Sequence, residues 1–277
     1  MTVLRALLRW WRADALVFAG SLAFLSLLAI APALASAFWL AEQNPVLKTG
    51  EKALRAFLYT HLLPDAAGQA TALLDRLRAN ARGLGELAIG LMALDLAVKS
   101  LAIHVAFDRI FRVRARGLIA HLRGGVVLLV VLPVVVGGLY WLLLTTSRLL
   151  TRTWPAAKGA VTVVAEPLQY ALPLFVALTL LYRYVPAHVR GWRSPVASAL
   201  LITAAIELAR WALSAYVADL AALRSLYGTF IAAPLLLLSL LLTWALVLIG
   251  AALTAEHFGT RRPDRAERRQ PGARPSA

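Results

Sequence analysis

Four ionisable residues sit where an apolar chain has least use for charge. Asp95 and Lys99 lie in the stretch Gly83–Phe107, and Glu207 and Arg210 lie in Pro195–Val217. An acid and a base four or three residues apart share one helix face, so each pair can neutralise itself. The carboxylates are equally suited to carry a proton or hold a cationic group, and the bases to act as counter-charges or anion ligands. An ionised side chain at the bilayer centre costs roughly 2.5–3.5 kcal/mol on insertion scales, so four unpartnered ones would cost on the order of 10–14 kcal/mol. Two readings follow. Either these groups line a pathway, or they are structural ion pairs that fix how their helices pack. His104, near the end of the first stretch, reads as an interfacial histidine.

Other chemistries lack their residues. There is no cysteine, which excludes disulfides, thiolate metal sites and cysteine nucleophiles. His61, His104, His121, His188 and His257 are scattered with no ligand spacing among them. No Gly-rich phosphate loop with its lysine, no Gly-x-Ser-x-Gly and no His-Glu-x-x-His occurs. Hydrolysis of a phosphodiester would need clustered carboxylates, metal ligands or a histidine pair. The expectation is therefore no enzyme, no cofactor and no metal.

The elements that must carry the four charges are membrane helices. The chain has 277 residues, 60% hydrophobic and 16% charged, with a mean hydropathy of +0.72. That is too apolar for a soluble domain, and the apolar residues come in long blocks. About 20 helical residues cross the roughly 30 Å apolar layer. Six segments reach that length: Ala15–Leu40, Leu84–Phe107, Gly124–Ser147, Leu168–Pro186, Pro195–Val217 and Gly228–Glu256. No alternation suggests a β-barrel, so the predicted fold is all-α, a polytopic membrane domain over residues 15–258. Pro32, Pro133, Pro173 and Pro234 each remove a backbone donor inside an apolar run. The last three are candidate hinges, the alternative being static kinks. Gly137-Gly138 and Gly250 with Thr254 are suited to close helix contacts.

Arginines orient the spans. The formal net charge is +15. Arg5, Arg9 and Arg12 precede the first span, Arg109–Arg123 follow the second, Arg183, Arg190 and Arg193 follow the fourth, and Arg261–Arg274 follow the sixth. All four groups fall on one side of a six-span chain, which should be cytoplasmic, with both termini inside. They edge the apolar blocks instead of forming an aromatic-interleaved face, so no nucleic-acid partner is expected. A cleaved signal peptide ending near Ala35 is the alternative for the first span, but cleavage would misplace the basic loops. Residues 1–14 read as an interfacial helix on anionic headgroups, with Leu4, Leu7, Leu8 and Trp11 on one face and Arg5, Arg9 and Arg12 on the other. Residues 42–82 read as an outer cap of two amphipathic helices broken at Pro64-Asp65. Residues 259–277 read as a disordered basic tail. The expected partners are membrane lipids and an unidentified small-molecule or lipid substrate; oligomerisation is left open.

Laid out this way, the chain resembles the YihY/BrkB family of bacterial inner-membrane proteins over residues 12–256. Tyr182-Arg183-Tyr184-Val185-Pro186, followed by Gly191-Trp192-Arg193, is similar to that family's Tyr-Arg-x-x-Pro-Asn element and its basic-aromatic turn. Glu207, Arg210 and Tyr216 fall where the family has Glu, a base and Tyr on its fifth span. Tyr227-Gly228 and Gly250-Ala251 resemble the opening and the end of its last span, and Ala19–Pro32 its first-span pattern. The chain departs from the pattern at Ala187, Asp108 and Ala252, where the family has Asn, Asn and Glu. The Asp95 and Lys99 pair matches no family pattern. The resemblance implies an inner-membrane protein tied to envelope integrity, serum resistance or export of lipid-related material. A ribonuclease label travels with the family, and no residue here supports it. The expected function is movement of a solute or lipid-derived molecule across the inner membrane; the alternative is an envelope scaffold.

Overall fold

A computed structural model of the chain describes residues 2–43, 64–112, 125, 127–154, 158–186, 189, 191–219 and 232–259. Among them the regular structure is helical throughout, with no strand. The short helix α1 (Thr2–Arg12) turns at Ala13-Asp14 into α2 (Ala15–Leu28), and α3 follows (Ile30–Gln43). Pro32 accounts for the interruption at Ala29. It has no N–H for the Leu28 carbonyl, and its ring crowds that oxygen. The ladder resumes at once, with Ala33 N–H on the Ala29 carbonyl at 2.9 Å.

Helix α4 (Pro64–Phe111) runs for 48 residues without a break. At 1.5 Å per residue that is about 72 Å, more than twice the apolar layer of about 30 Å. Pro64 opens the helix, where a missing N–H costs nothing. Beyond it residues 65–82 and the second span belong to one continuous helix. The only breakers there are Gly68, Gly83 and Gly85. Each costs about 1 kcal/mol relative to Ala, too little to end a helix rich in Ala, Leu and Arg. The first arm of the expected cap, and the side chains of the second, lie outside the described residues.

A π-helical turn (Val127–Val131) leads into α5 (Leu132–Thr153), then α6 (Lys158–Tyr184), α7 (Arg193–Asp219) and α8 (Ala232–Gly259). Five helical stretches among the described residues are long and apolar enough to cross a membrane: Ala15–Ser36, Glu86–Phe111, Leu132–Thr153, Arg193–Leu213 and Pro234–Glu256. Helix α6, which carries the remaining expected span, has 27 residues. The basic tail beyond Gly259 lies outside the described residues.

The chain divides into two compact units. The first comprises Met1–Leu16, His104–Leu208 and Ala245–Ala277. Its core gathers Phe107, Ile110, Tyr182, Val185 and Leu248, all fully buried. Tyr182 stacks on Phe107 at 6.3 Å between ring centroids and donates its hydroxyl to the Val247 carbonyl at 2.9 Å. A side chain at Gly250 would overlap that hydroxyl and come within 2.6 Å of Tyr182 Cζ and 2.7 Å of Ile202 Cγ1. Helices α6, α7 and α8 therefore meet at a glycine because no larger residue fits. Helix α5 has no buried residue, and its hydroxyls turn back on its own carbonyls, as with Thr145 on Trp141 and Thr146 on Leu142, both at 2.8 Å. Polar groups satisfied in this way can face lipid. Gln169 Nε2 donates to Ser147 Oγ at 2.9 Å and joins α6 to α5.

The second unit comprises Val17–Ile103 and Ala209–Trp244. Two hydroxyl contacts tie it together: Ser36 Oγ on Met92 Sδ at 3.3 Å, and Trp244 Nε1 on Ser26 Oγ at 3.0 Å.

Candidate functional site

In the second unit Asp95 and Lys99 pair as their spacing predicts. Lys99 Nζ donates to Asp95 Oδ2 at 2.6 Å, and their side chains are 15% and 12% exposed respectively. The pairing is local, made along one turn of α4 with the acid N-terminal to the base, the favoured order. It leaves the carboxylate half used. Asp95 Oδ1 is buried and meets no donor among the described residues. A buried carboxylate oxygen without a donor is expensive, and it is suited to take a proton, a cation or a ligand's N–H.

The other expected site residues lie elsewhere in the chain. Glu207 and Arg210 stand three positions apart on α7, Glu207 half-buried and Arg210 exposed. They fall on either side of the boundary between the two units. Pro133 lies in the first turn of α5 and directly follows the π-turn, so the ladder is disturbed before the helix proper begins. Pro234 falls in the first turn of α8 as described, where its missing donor costs little. Of the three candidate hinges, Pro173 is the one inside a continuous helix, buried in α6. His104 is 1% exposed, a core residue of the first unit. Among the described residues no three His, Asp or Glu side chains gather as metal ligands would.

The Tyr-Arg element proves to be a clasp. While Tyr182 locks into the core, the Arg183 guanidinium lies 5.5 Å from the ring centres of both Tyr184 and Trp192, and Nη1 donates to the Val189 carbonyl. Tyr184 and Trp192 meet edge to face at 6.1 Å. Cation–π contacts of this kind close the turn between α6 and α7.

A second charged site is not visible in the sequence, where Arg9 and Arg12 read as the headgroup face of an interfacial helix and Arg109 and Arg112 as topology signals. A cavity of about 230 Å³ is lined by Arg9, Arg12, Ala13, Asp14, Arg109 and Arg112. Arg109 reaches Asp14 at 3.5 Å, and Arg9 reaches Glu256 at 3.1 Å. Asp14 (φ 53°) and Arg112 (φ 54°) are the two non-glycine residues at positive φ among the described residues, and both line this cavity. The left-handed region costs an L-residue roughly 1–2 kcal/mol. Each residue follows the last turn of a helix, α1 and α4 respectively, where glycine is the usual choice.

The family model described as "Virulence factor BrkB" matches residues 6–274. Relatives include the UPF0761 membrane protein of Chromohalobacter salexigens, 33% identical over 269 residues, covering 90% of this chain and 61% of the relative. That of Verminephrobacter eiseniae is 31% identical over 265 residues, covering 92% and 61%, and that of Stenotrophomonas maltophilia (strain K279a) is 29% identical over 253 residues, covering 86% and 56%. The chain thus spans less than two thirds of the length of these relatives. No solved structure matches it. The match across nearly the whole sequence, on a helical chain with several membrane-length spans, makes this a membrane protein of the virulence factor BrkB family.

Proposed function

We propose that the protein moves a solute or lipid-derived molecule across the bacterial inner membrane by alternating exposure of a charged intramembrane site, without enzymatic chemistry. The observation that carries this is Asp95, which has one oxygen on Lys99 and the other buried and unmatched within a membrane-length helix. A purely structural pair would be expected to satisfy both oxygens. On this reading Asp95 and Glu207 carry a proton or cation, or ligate a cationic group. Lys99 and Arg210 are counter-charges. Pro133, Pro173 and Pro234 mark where the spans yield.

The same reading takes six spans with both termini in the cytoplasm. The Arg9–Glu256 ion pair joins the N-terminal helix to the end of α8, Arg109–Asp14 joins it to the end of α4, and Ser194 Oγ meets the Thr254 carbonyl at 3.3 Å. These contacts support an even number of crossings, with α6 the sixth, and a common side for Arg9 and Arg109. Reporter fusions at Arg116 and Arg190 should report cytoplasm, and fusions at Gln69 and Leu223 the outside. A cytoplasmic signal at Gln69 would overturn this topology.

The transport reading is tested in double variants, Asp95→Asn with Lys99→Met and Glu207→Gln with Arg210→Met. Membrane abundance and thermal stability of each should stay near wild type, while complementation of an envelope-stress phenotype in a deletion strain is lost. Full complementation by well-folded double variants would exclude transport through these residues. It would favour a scaffold involved in envelope integrity. One observation already leans that way: α4 extends about 30 Å beyond the start of its apolar stretch, long enough to dock a partner.

A further inference from the structure

The cavity at the end of α1 has chemistry that transport through Asp95 does not use. It brings four guanidiniums together against two carboxylates, Asp14 on its wall and Glu256 bonded to Arg9. Two helix C-termini also end here, α1 and α4, each worth about half a negative charge. Roughly one positive charge is left over after both kinds of negative charge are subtracted. Arginine forks match the oxygens of a phosphate two at a time, which lysine cannot do.

The backbone points the same way. A glycine at position 112 would close α4 without strain, yet the chain holds an arginine there at φ 54°. What the position gains is an arginine lining the cavity. Helix α1 adds a second observation. It supplies Arg9 and Arg12 to the cavity while Leu4, Leu7, Leu8 and Trp11 stand 65%, 40%, 50% and 68% exposed along one stripe. An amphipathic helix with its apolar stripe uncovered and its arginines turned into a cavity is built to lie in the interface, at the depth of lipid phosphates.

We infer that this cavity binds a phosphate group carrying a single negative charge, held between Arg12 and Arg112, with Asp14 as the internal carboxylate it displaces from Arg109. A phosphodiester of a membrane lipid and free inorganic phosphate share that chemistry. The uncovered stripe of α1 favours the lipid.

The test uses the full chain purified in an uncharged detergent and a fluorescent short-chain phosphatidylglycerol as probe. Competitors are unlabelled dihexanoyl phosphatidylglycerol, inorganic phosphate at constant ionic strength, and dihexanoylglycerol, which has no phosphate. The unlabelled phosphatidylglycerol should compete at least 100-fold better than dihexanoylglycerol. Equal potency of those two would overturn the proposal. Inorganic phosphate competing as well as the lipid supports the site with free phosphate as its ligand, and weak competition supports the lipid headgroup. Arg12→Gln with Arg112→Gln should weaken binding about tenfold, and Arg12→Lys with Arg112→Lys by less, since charge is kept and the fork lost. Asp14→Asn guards against a misfolded arginine variant, because Asn tolerates the left-handed backbone. It should tighten binding three- to tenfold by removing the competing carboxylate. Unchanged or weaker binding in Asp14→Asn, or wild-type affinity in a folded Arg12→Gln, Arg112→Gln protein, would sink the idea.

Discussion

Tyr182 and Asp95 both place a polar group inside an apolar helix, and the two regions of the molecule treat that group differently. Around Tyr182 everything is used. The ring stacks on Phe107, the hydroxyl finds the Val247 carbonyl, and Gly250 is as small as it must be for the ring to fit. Around Asp95 one oxygen has a partner and the other has none among the described residues. Among the described residues, the largest fully buried side chains include Leu22 in the second unit and Tyr182, Phe107, Ile110, Leu248, His104 and Val185 in the first. A closed core defends a single packing, whereas a half-satisfied buried charge is costly to keep in one. On the proposed transport reading, the Tyr182 region is the anchor and the Asp95 region the part that changes state.

The largest effect that would break this comparison is at Lys99. Replacing it alone with Met strands the Asp95 carboxylate, which has little access to water, and should cost about 3–5 kcal/mol of stability. Thermal unfolding of the purified variant in detergent is the measurement. Adding Asp95→Asn should restore most of the loss. A single Lys99→Met protein as stable as wild type would show that Asp95 is already supported by something other than its lysine, and the division between the two regions would fall.

Gly250→Ala sharpens the other side. An extra methyl against Tyr182 Cζ and Ile202 Cγ1 should cost about 1–3 kcal/mol, because neither neighbour is the free end of a flexible side chain. Tyr182→Phe should cost less, about 1 kcal/mol for the lost hydrogen bond to Val247. The two changes should not be additive, since removing the hydroxyl removes part of the overlap that the methyl meets. Additive losses in a double-variant cycle of melting temperatures would mean that Tyr182 and Gly250 are not in contact as described.

Much of this protein is legible in its amino-acid sequence. Apolar blocks of membrane length are a compositional fact, because lipid demands that backbone groups be satisfied within each segment, and so the helices over Glu86–Phe111, Arg193–Leu213 and Pro234–Glu256 fall where hydropathy puts them. The Asp95–Lys99 bond is equally readable, since an acid and a base one turn apart need no tertiary partner to meet. The close contact at Gly250 follows from residue size, though the identity of its neighbours does not. Three things are decided only by the tertiary structure. Residues 65–82 join α4 as one continuous helix, because three glycines are too weak a break to stop it. Arg9, Arg12, Arg109 and Arg112, which look in sequence like topology signals on separate segments, converge on one cavity because α1 and α4 end beside each other. The unmatched oxygen of Asp95 is likewise invisible to spacing, which can say that a carboxylate has a lysine one turn away. Only the packing around α4 decides whether the second oxygen is left without a donor, because burial and partner geometry depend on residues far away in the chain.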